Sequence, residues 1–235
     1  MPEIKTVFFD IGNTLLFPTR PTILKSLYQW NLIPTLEQWH AIERTTKKQF
    51  DESMQHGVAD HGFWFMFYSR LLEELGITDE LLRDELVNAT RISANWCDMR
   101  RGTREILQRI GSRYPLAVIS NADGKIAAVL EQCGIADCFA SITDSGIVGC
   151  EKPASAIFQA ALRSMNAEPG QSLYVGDLYS VDYLGAMQAG MQAVLFDVSG
   201  AYRERAVPRV ESLEELEGRL LETGSTRDHI GNSRR

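Results

Sequence analysis

VFFDIGNTL, residues 7–15, is the stretch on which the fold turns. Its first half is a β-branched and aromatic run, and the reading Ile4 to Phe9 is a strand buried on both faces. Asp10 ends the run, and Gly12 and Asn13 break the pattern at once. The same grammar recurs downstream. Leu116 to Ile119 is followed by Ser120, Asn121 and Ala122. Ser172 to Val175 is followed by Gly176 and Asp177, and Gln192 to Phe196 by Asp197. A shorter run, Ala140 to Thr143, is a candidate fifth strand. Helical patterns lie between them: Gly102 to Ser112 with Ile106, Leu107 and Ile110 on one face, Gly124 to Gly134, Ser155 to Met165, and Asp182 to Ala189 closed by Gly190. Near-continuous apolar strands alternating with helices predict an α/β fold with a doubly wound parallel sheet. Such a sheet takes its ligand at the carboxyl ends of its strands, which here carry Asp10, Ser120, Asn121 and Asp177.

Between the first and second strands the alternation stops. Residues 17–98 hold long helical patterns and no clear strand: Thr22 to Trp30, Leu36 to His56, Gly62 to Leu75 and Asp79 to Asn95. The expected organisation is a Rossmann-like α/β core of residues 1–16 and 99–223, with an all-helical cap of residues 17–98 inserted after the first strand as a lid over the site. Residues 224–235 are polar, lack a core pattern and read as a disordered tail. The insert is rich in aromatics, and Phe63 to Tyr68 is too dense for one helix face, so part of it is expected to face the site or a second copy. The chain has 235 residues, 44% of them apolar, and a formal net charge of −7. That is enough for one good core with an insert. No Lys/Arg run suits a phosphate backbone, which argues against nucleic acid. No apolar window is long enough to span a membrane. The cysteines, Cys97, Cys133, Cys138 and Cys150, form neither a CxxC pair nor a zinc-like spacing, so they read as reduced thiols of a cytoplasmic protein. A monomer or a homodimer is expected.

Four segments then fall into order: VFFDIGNTL with Asp10 and Thr14, VISNA (residues 118–122) with Ser120, EKP (residues 151–153) with Lys152 before a helix, and VGDLYSVD (residues 175–182) with Asp177 and Asp182. In order and spacing this resembles the haloacid dehalogenase-like (HAD) hydrolase superfamily, over roughly residues 4 to 200, and the helical insert resembles that family's first type of cap. The resemblance implies a hydrolase, most often a phosphatase of small phosphorylated metabolites. It places Lys152 against Asp10 and the phosphoryl oxygens, and Thr14 and Asn121 towards the substrate.

The chemistry also has its own logic. A phosphoryl group needs a nucleophile, a counter-charge and oriented donors. Asp10 can attack phosphorus and become an aspartyl phosphate. Asp10 and Asp177, with water and the backbone carbonyl of Gly12, make the oxygen-rich, few-carboxylate setting that Mg²⁺ prefers. Lys152 supplies fixed positive charge, Ser120 and the backbone at Asn121 can donate to the phosphoryl oxygens, and Asp182 holds Lys152 or a metal-bound water.

The pattern departs from its family at one place. Phosphatases of this kind carry a second aspartate, the general acid and base, two residues after the nucleophile. Here that residue is Gly12. Losing such a group typically costs about 10²–10⁴ in rate. Three readings follow: a phosphatase in which another group or water does the proton work, with Asp60, His61 and Asp123 as candidates, or whose leaving group needs no proton; a slowly hydrolysed phosphoenzyme; or a site that binds a phosphorylated ligand or a partner without turnover. Dehalogenases of the family typically lose the acid at Asp177, which this chain keeps. Phosphonoacetaldehyde hydrolases share a small residue at the Gly12 position and need a cap lysine. Lys47 and Lys48 lie in the insert, where adjacent helix lysines are usually solvated.

Overall fold

The computed structural model describes residues 3–28, 30–55 and 62–225, the side chains of Gln55 and residues 222–225 excepted. β1 (Thr6–Phe9) leads into β2 (Leu16–Phe17). The insert follows: α1 (Arg20–Ile23), α2 (Lys25–Tyr28), α3 (Leu36–Gln55), α4 (Phe63–Glu74) and α5 (Glu80–Arg91), then β3 (Asp98–Met99). The chain continues through α6 (Thr103–Gly111), β4 (Leu116–Ser120), α7 (Ile126–Gln132), β5 (Ser141–Asp144), α8 (Ser145–Val148), α9 (Ser155–Ser164) and β6 (Ser172–Gly176). It ends with α10 (Leu184–Gln188), β7 (Gln192–Phe196), β8 (Arg209–Val210) and α11 (Leu213–Ser225).

Among the described residues, six parallel strands form the main sheet in the order β5-β4-β1-β6-β7-β8. This is the expected Rossmann-like α/β sheet, with the fifth strand one residue later than the sequence suggested and β8 too short to have been seen. Both faces are covered, which is why β1 is apolar from Val7 to Phe9. Val7 and Phe9 pack into the cluster built with Ile106, Leu107 and Ile110 of α6, while Phe8 packs with Ile157 and Phe158 of α9 on the other side. Each such side chain contributes about 1.5–3 kcal/mol by leaving water, and Phe8→Ala in this fully buried strand would cost about 3–5 kcal/mol. From β1 the chain turns to β4 and β5 on one side and later to β6 and β7 on the other. Asp10 therefore follows the strand at the switch point, where a crevice opens.

The insert makes its own apolar cluster from Ile23, Leu24, Leu27, Trp39, Ile42, Phe67, Tyr68, Leu71, Leu72, Leu82 and Leu86, among others. Asp79 caps α5 by accepting from Leu82 N at 3.0 Å. Two expectations need correction. The pattern from Thr22 to Trp30 is two short helices, broken at Leu24, which lets Ile23, Leu24 and Leu27 enter one cluster. The helix starting at Asp79 stops at Arg91, because Ile92 is extended, and a 3₁₀ turn covers Ser93–Asn95. The insert is also tied off by strands that were not expected: Leu16 pairs with Met99 and Phe17 with Asp98, antiparallel. Two-residue strands are too short to show a period in sequence. The tail from residue 226, and Asp60 and His61, lie outside the described residues. Among the described residues no helix is long and apolar enough to cross a membrane, and the four cysteines are free thiols.

Candidate active site at the carboxyl ends of the strands

Asp10 leaves β1 with its N–H bonded to Val175 O at 2.8 Å, so the neighbouring strand fixes its backbone. Its Oδ1 accepts from Lys152 Nζ at 2.6 Å. Lys152 Nζ also donates to Asp182 Oδ1 at 2.8 Å and to Tyr174 OH at 2.8 Å. The ammonium thus has three oxygen partners, matching its three protons. Its backbone is held by Asn121, which donates Nδ2 to Lys152 O at 3.0 Å and accepts Lys152 N on Oδ1 at 2.7 Å. The side chain expected to face a substrate is spent on Lys152, and only the backbone at residue 121 is left to donate.

The other strand ends fall in as expected. Ser120, 4% exposed, closes β4, and its Oγ makes no hydrogen bond among the described residues. The loop after it is tied down by β5: Asp144 accepts from Gly124 N at 3.0 Å and from Ile126 N at 3.1 Å, and Ser145 Oγ accepts from Ala122 N at 3.0 Å. Thr14 is buried, and its Oγ1 has no partner. Asp177 follows β6 and is buried. Asp182 does not start an α-helix. It sits in a π-turn, Tyr179–Tyr183, that precedes α10, and its Oδ2 accepts from Leu178 N at 2.9 Å. Gly176 is obligatory for that approach, since a Cβ there would lie 2.5 Å from Asp182 Cγ. Asp123 accepts from Ser93 N of the insert at 3.4 Å. Burial raises its carboxyl, but the Ser93 hydrogen bonds win and hold it below the usual range.

The insert adds three side chains. Arg44, Lys47 and Asp51 stand three and four residues apart on α3, so they share one helix face. Arg44 Nη1 donates to Ser199 O at 3.2 Å, and Asp51 Oδ1 accepts from Ser180 N at 3.0 Å. Between them Lys47, 1% exposed, places Nζ 2.8 Å from Glu43 Oε1 and 2.9 Å from Asp177 Oδ2. Burial alone would lower its pKa, but Asp177 and Glu43 lift it well above the ordinary value, so it is a permanent cation. Lys47 is therefore not solvated, whereas Lys48 is: it is exposed and 3.9 Å from Glu204. A polar stripe of Glu43, Lys47 and Asp51 along a helix was the available signal.

Gly12 has a neighbour as well. A Cβ at Gly12 would lie 3.3 Å from the indole ring of Trp96. Trp96 donates Nε1 to Thr90 O at 2.7 Å and meets Trp64 edge-on, ring centroids 5.5 Å apart. The space beyond residue 12, where an acid would reach, is bounded by an aromatic wall from the insert. The same wall answers the dense run Phe63 to Tyr68: Phe63 packs with Phe50 and with Val181 of the π-turn, and Phe65 is the outward ring, under Arg83 at 4.2 Å.

The charges decide what the cluster can hold. Asp10, Asp177 and Asp182 bring ligand atoms within 4.8 Å of one another. With Glu43 they make four buried carboxylates against two buried ammoniums, Lys47 and Lys152. Burial, opposed by Lys152, pushes the Asp10 carboxyl up to about 7. Burial, opposed by Lys47, pushes Asp177 up to about 6. With all four carboxylates ionised, two negative charges are left over. Asp177 Oδ2 has the distance but not the angle of a hydrogen bond to Lys47 and stays open as a donor atom. A small oxygen-loving divalent cation fits this donor set in charge and in ligand type.

A model of haloacid dehalogenase-like hydrolases matches residues 4–190. The chain is 26% identical over 230 residues to the 5-amino-6-(5-phospho-D-ribitylamino)uracil phosphatase YigB of Escherichia coli (strain K12), covering 89% of this chain and 92% of that one. It is 28% identical over 145 residues to the haloacid dehalogenase-like hydrolase domain-containing protein 3 of Bos taurus, a match that takes in 60% of this chain and 57% of the relative's length. A magnesium-bound HAD-hydrolase of Bacillus subtilis, YfnB, shares the fold with a TM-score of 0.68, at 19% identity over 93% of this chain and 99% of that one.

Proposed function

The chain belongs to the haloacid dehalogenase-like hydrolase family, and from that premise we propose that it is a magnesium-dependent phosphatase of a small phosphorylated metabolite, working through an aspartyl phosphate on Asp10. The observation that carries the reading is the pairing of Asp10 with Lys152 at 2.6 Å inside a carboxylate cluster short of positive charge. The phosphatase activity of a relative matched along 92% of its length supports the reaction class.

In this reading Asp10, Asp177 and the Gly12 carbonyl would hold Mg²⁺, which would supply neutralising charge between the anionic nucleophile and the anionic phosphate. Lys152 keeps Asp10 ionised and oriented, and its own position is set by Asn121, Asp182 and Tyr174. Tyr174 stays a neutral phenol, since burial and then Asp182 raise its pKa well above the usual value. Thr14 Oγ1 and Ser120 Oγ are free to donate to phosphoryl oxygens. The Asp10 oxygen forms a bond to phosphorus as the bond to the leaving oxygen breaks. Water then attacks the aspartyl phosphate and releases inorganic phosphate. With glycine at the acid position and Trp96 beside it, residue 12 offers no carboxyl to protonate the leaving oxygen, so aryl and other stable leaving groups turn over faster than alkyl ones.

Lys47 bears on the carbon–phosphorus alternative, because it puts a cap lysine inside the site. A Schiff base needs the neutral amine, and the Glu43 and Asp177 partners keep Lys47 protonated. The phosphatase reading therefore stands first. Incubation with acetyl phosphate and Mg²⁺ should add one phosphoryl mass to the intact protein, lost in Asp10→Asn and with EDTA. Phosphatase activity that survives both changes defeats the proposal.

A further inference from the structure

A cavity of about 440 Å³ lies where α3 faces the neck formed by β2 and β3. That size suits a small metabolite. It abuts the active site at two points. Asn13 belongs to the turn that follows Asp10, and Glu43 is one ion pair removed from Asp177 through Lys47. Its other charged or titratable lining is Arg20, Arg100, His40 and Asp98, of which the two arginines are fixed cations. The two guanidiniums are held by rings and not by acids. Arg20 lies over Trp39 and Arg100 over Phe17, each 5.0 Å from the ring centroid. Neither guanidinium has an ion pair or hydrogen bond among the described residues. Their planar forks are therefore unspent, oriented by stacking, and suited to a carboxylate or phosphate.

The cavity's acids do not cancel this charge. Glu43 is committed to Lys47, and Asp98 is exposed on the neck. Burial holds His40 below its ordinary pKa, with Glu43 opposing and Arg20, Arg44 and Arg100 adding to the fall. Partial desolvation lowers Arg100 as well, although its side chain is exposed, with Glu214 and Glu43 opposing.

We propose that this cavity is a second anion subsite, and that the substrate is a small phosphate monoester whose far end carries a carboxylate or a second phosphate, gripped by Arg20 and Arg100 while the scissile phosphate meets Asp10. This rests on the phosphatase reading for the near end of the substrate. The test needs no turnover. Calorimetric binding to the Asp10→Asn variant with Mg²⁺ compares matched phosphate monoesters of increasing chain length, ending in a carboxylate or in a hydroxymethyl group. Charge-assisted contacts predict that at least one carboxylate binds about tenfold to a hundredfold tighter than its alcohol. The preference should disappear when Arg20→Gln and Arg100→Gln are added together. Arg100→Gln alone, at an exposed side chain that the fold does not need, should reduce it part-way. No carboxylate binding tighter than its alcohol, or a preference that persists in the folded arginine variants, overturns the subsite. Failure of the phosphatase reading would show separately, as the absence of phosphate on Asp10 in the otherwise native protein.

Discussion

Two ammonium groups meet one acidic cluster from different regions of the molecule, Lys152 from the sheet and Lys47 from the helical insert. Lys152 is surrounded by core oxygens and has its backbone clamped by Asn121. Lys47 rides a helix of the insert, which meets the core through side-chain contacts such as Asp51 with Ser180 and Arg44 with Ser199, and it reaches Asp177 only while that helix stays seated. The core thus fixes the groups that belong to phosphoryl chemistry whatever the substrate. The insert supplies a cation on Asp177, an aromatic wall on Gly12 and part of an arginine-lined cavity.

Removing each lysine tests that division. Lys152→Met leaves Asp10 and Asp182 buried without their cation, and stability at neutral pH should fall by about 3–5 kcal/mol in urea titration. Lys47→Met should cost less, about 1–3 kcal/mol, because the seam keeps the Asp51 and Arg44 contacts. It should also tighten Mg²⁺ about tenfold by calorimetry, since the ammonium no longer shares Asp177. Equal losses for the two variants would erase the distinction between core and insert. Lys48→Ala, one residue away but exposed, is the control and should stay within about 0.5 kcal/mol.

Gly12→Asp probes the wall. The new side chain must displace Trp96, at about 1–3 kcal/mol, and should raise turnover of alkyl phosphates only when combined with Trp96→Ala. A strong gain from the single change would mean that the wall gives way. The gentlest probe is pH. Asp10 at about 7 and Asp177 at about 6 lie above the ordinary 3.8, so the folded protein holds protons that the unfolded chain releases. Without metal, the contribution of these two carboxyls should therefore be fully present below about pH 4 and be lost as pH rises to about 7, a component that Asp10→Asn with Asp177→Asn removes from the pH profile. Saturating Mg²⁺ should flatten that slope in melting curves, and a slope unaffected by Mg²⁺ would count against a cation between these two carboxylates.

The sheet and its strand-end residues were legible because each strand is a short apolar run with one polar residue after it. Asp10, Ser120 and Asp177 could be named from position alone, and Lys152 from the EKP segment and the family resemblance. Tyr174 could not, since inside the apolar run of β6 its ring reads as core and only the structure turns its hydroxyl to Lys152. Lys47 was masked by Lys48: adjacent helix lysines point to different faces, and a window that judges the pair together misses the one that is buried. Trp96 was hidden for a third reason. It lies after the last helix of the insert, far in sequence from Gly12, and no periodicity links a tryptophan to the glycine it shields.

The neck has a consequence for inheritance. The chain leaves the sheet at Leu16 and Phe17 and comes back beside them at Asp98 and Met99. The helices between can be lengthened, shortened or exchanged by recombination without shifting the register of any strand in the main sheet. A lineage could in this way acquire a new clientele of substrates by replacing one module, while Asp10, Lys152 and Asp177 pass on unaltered.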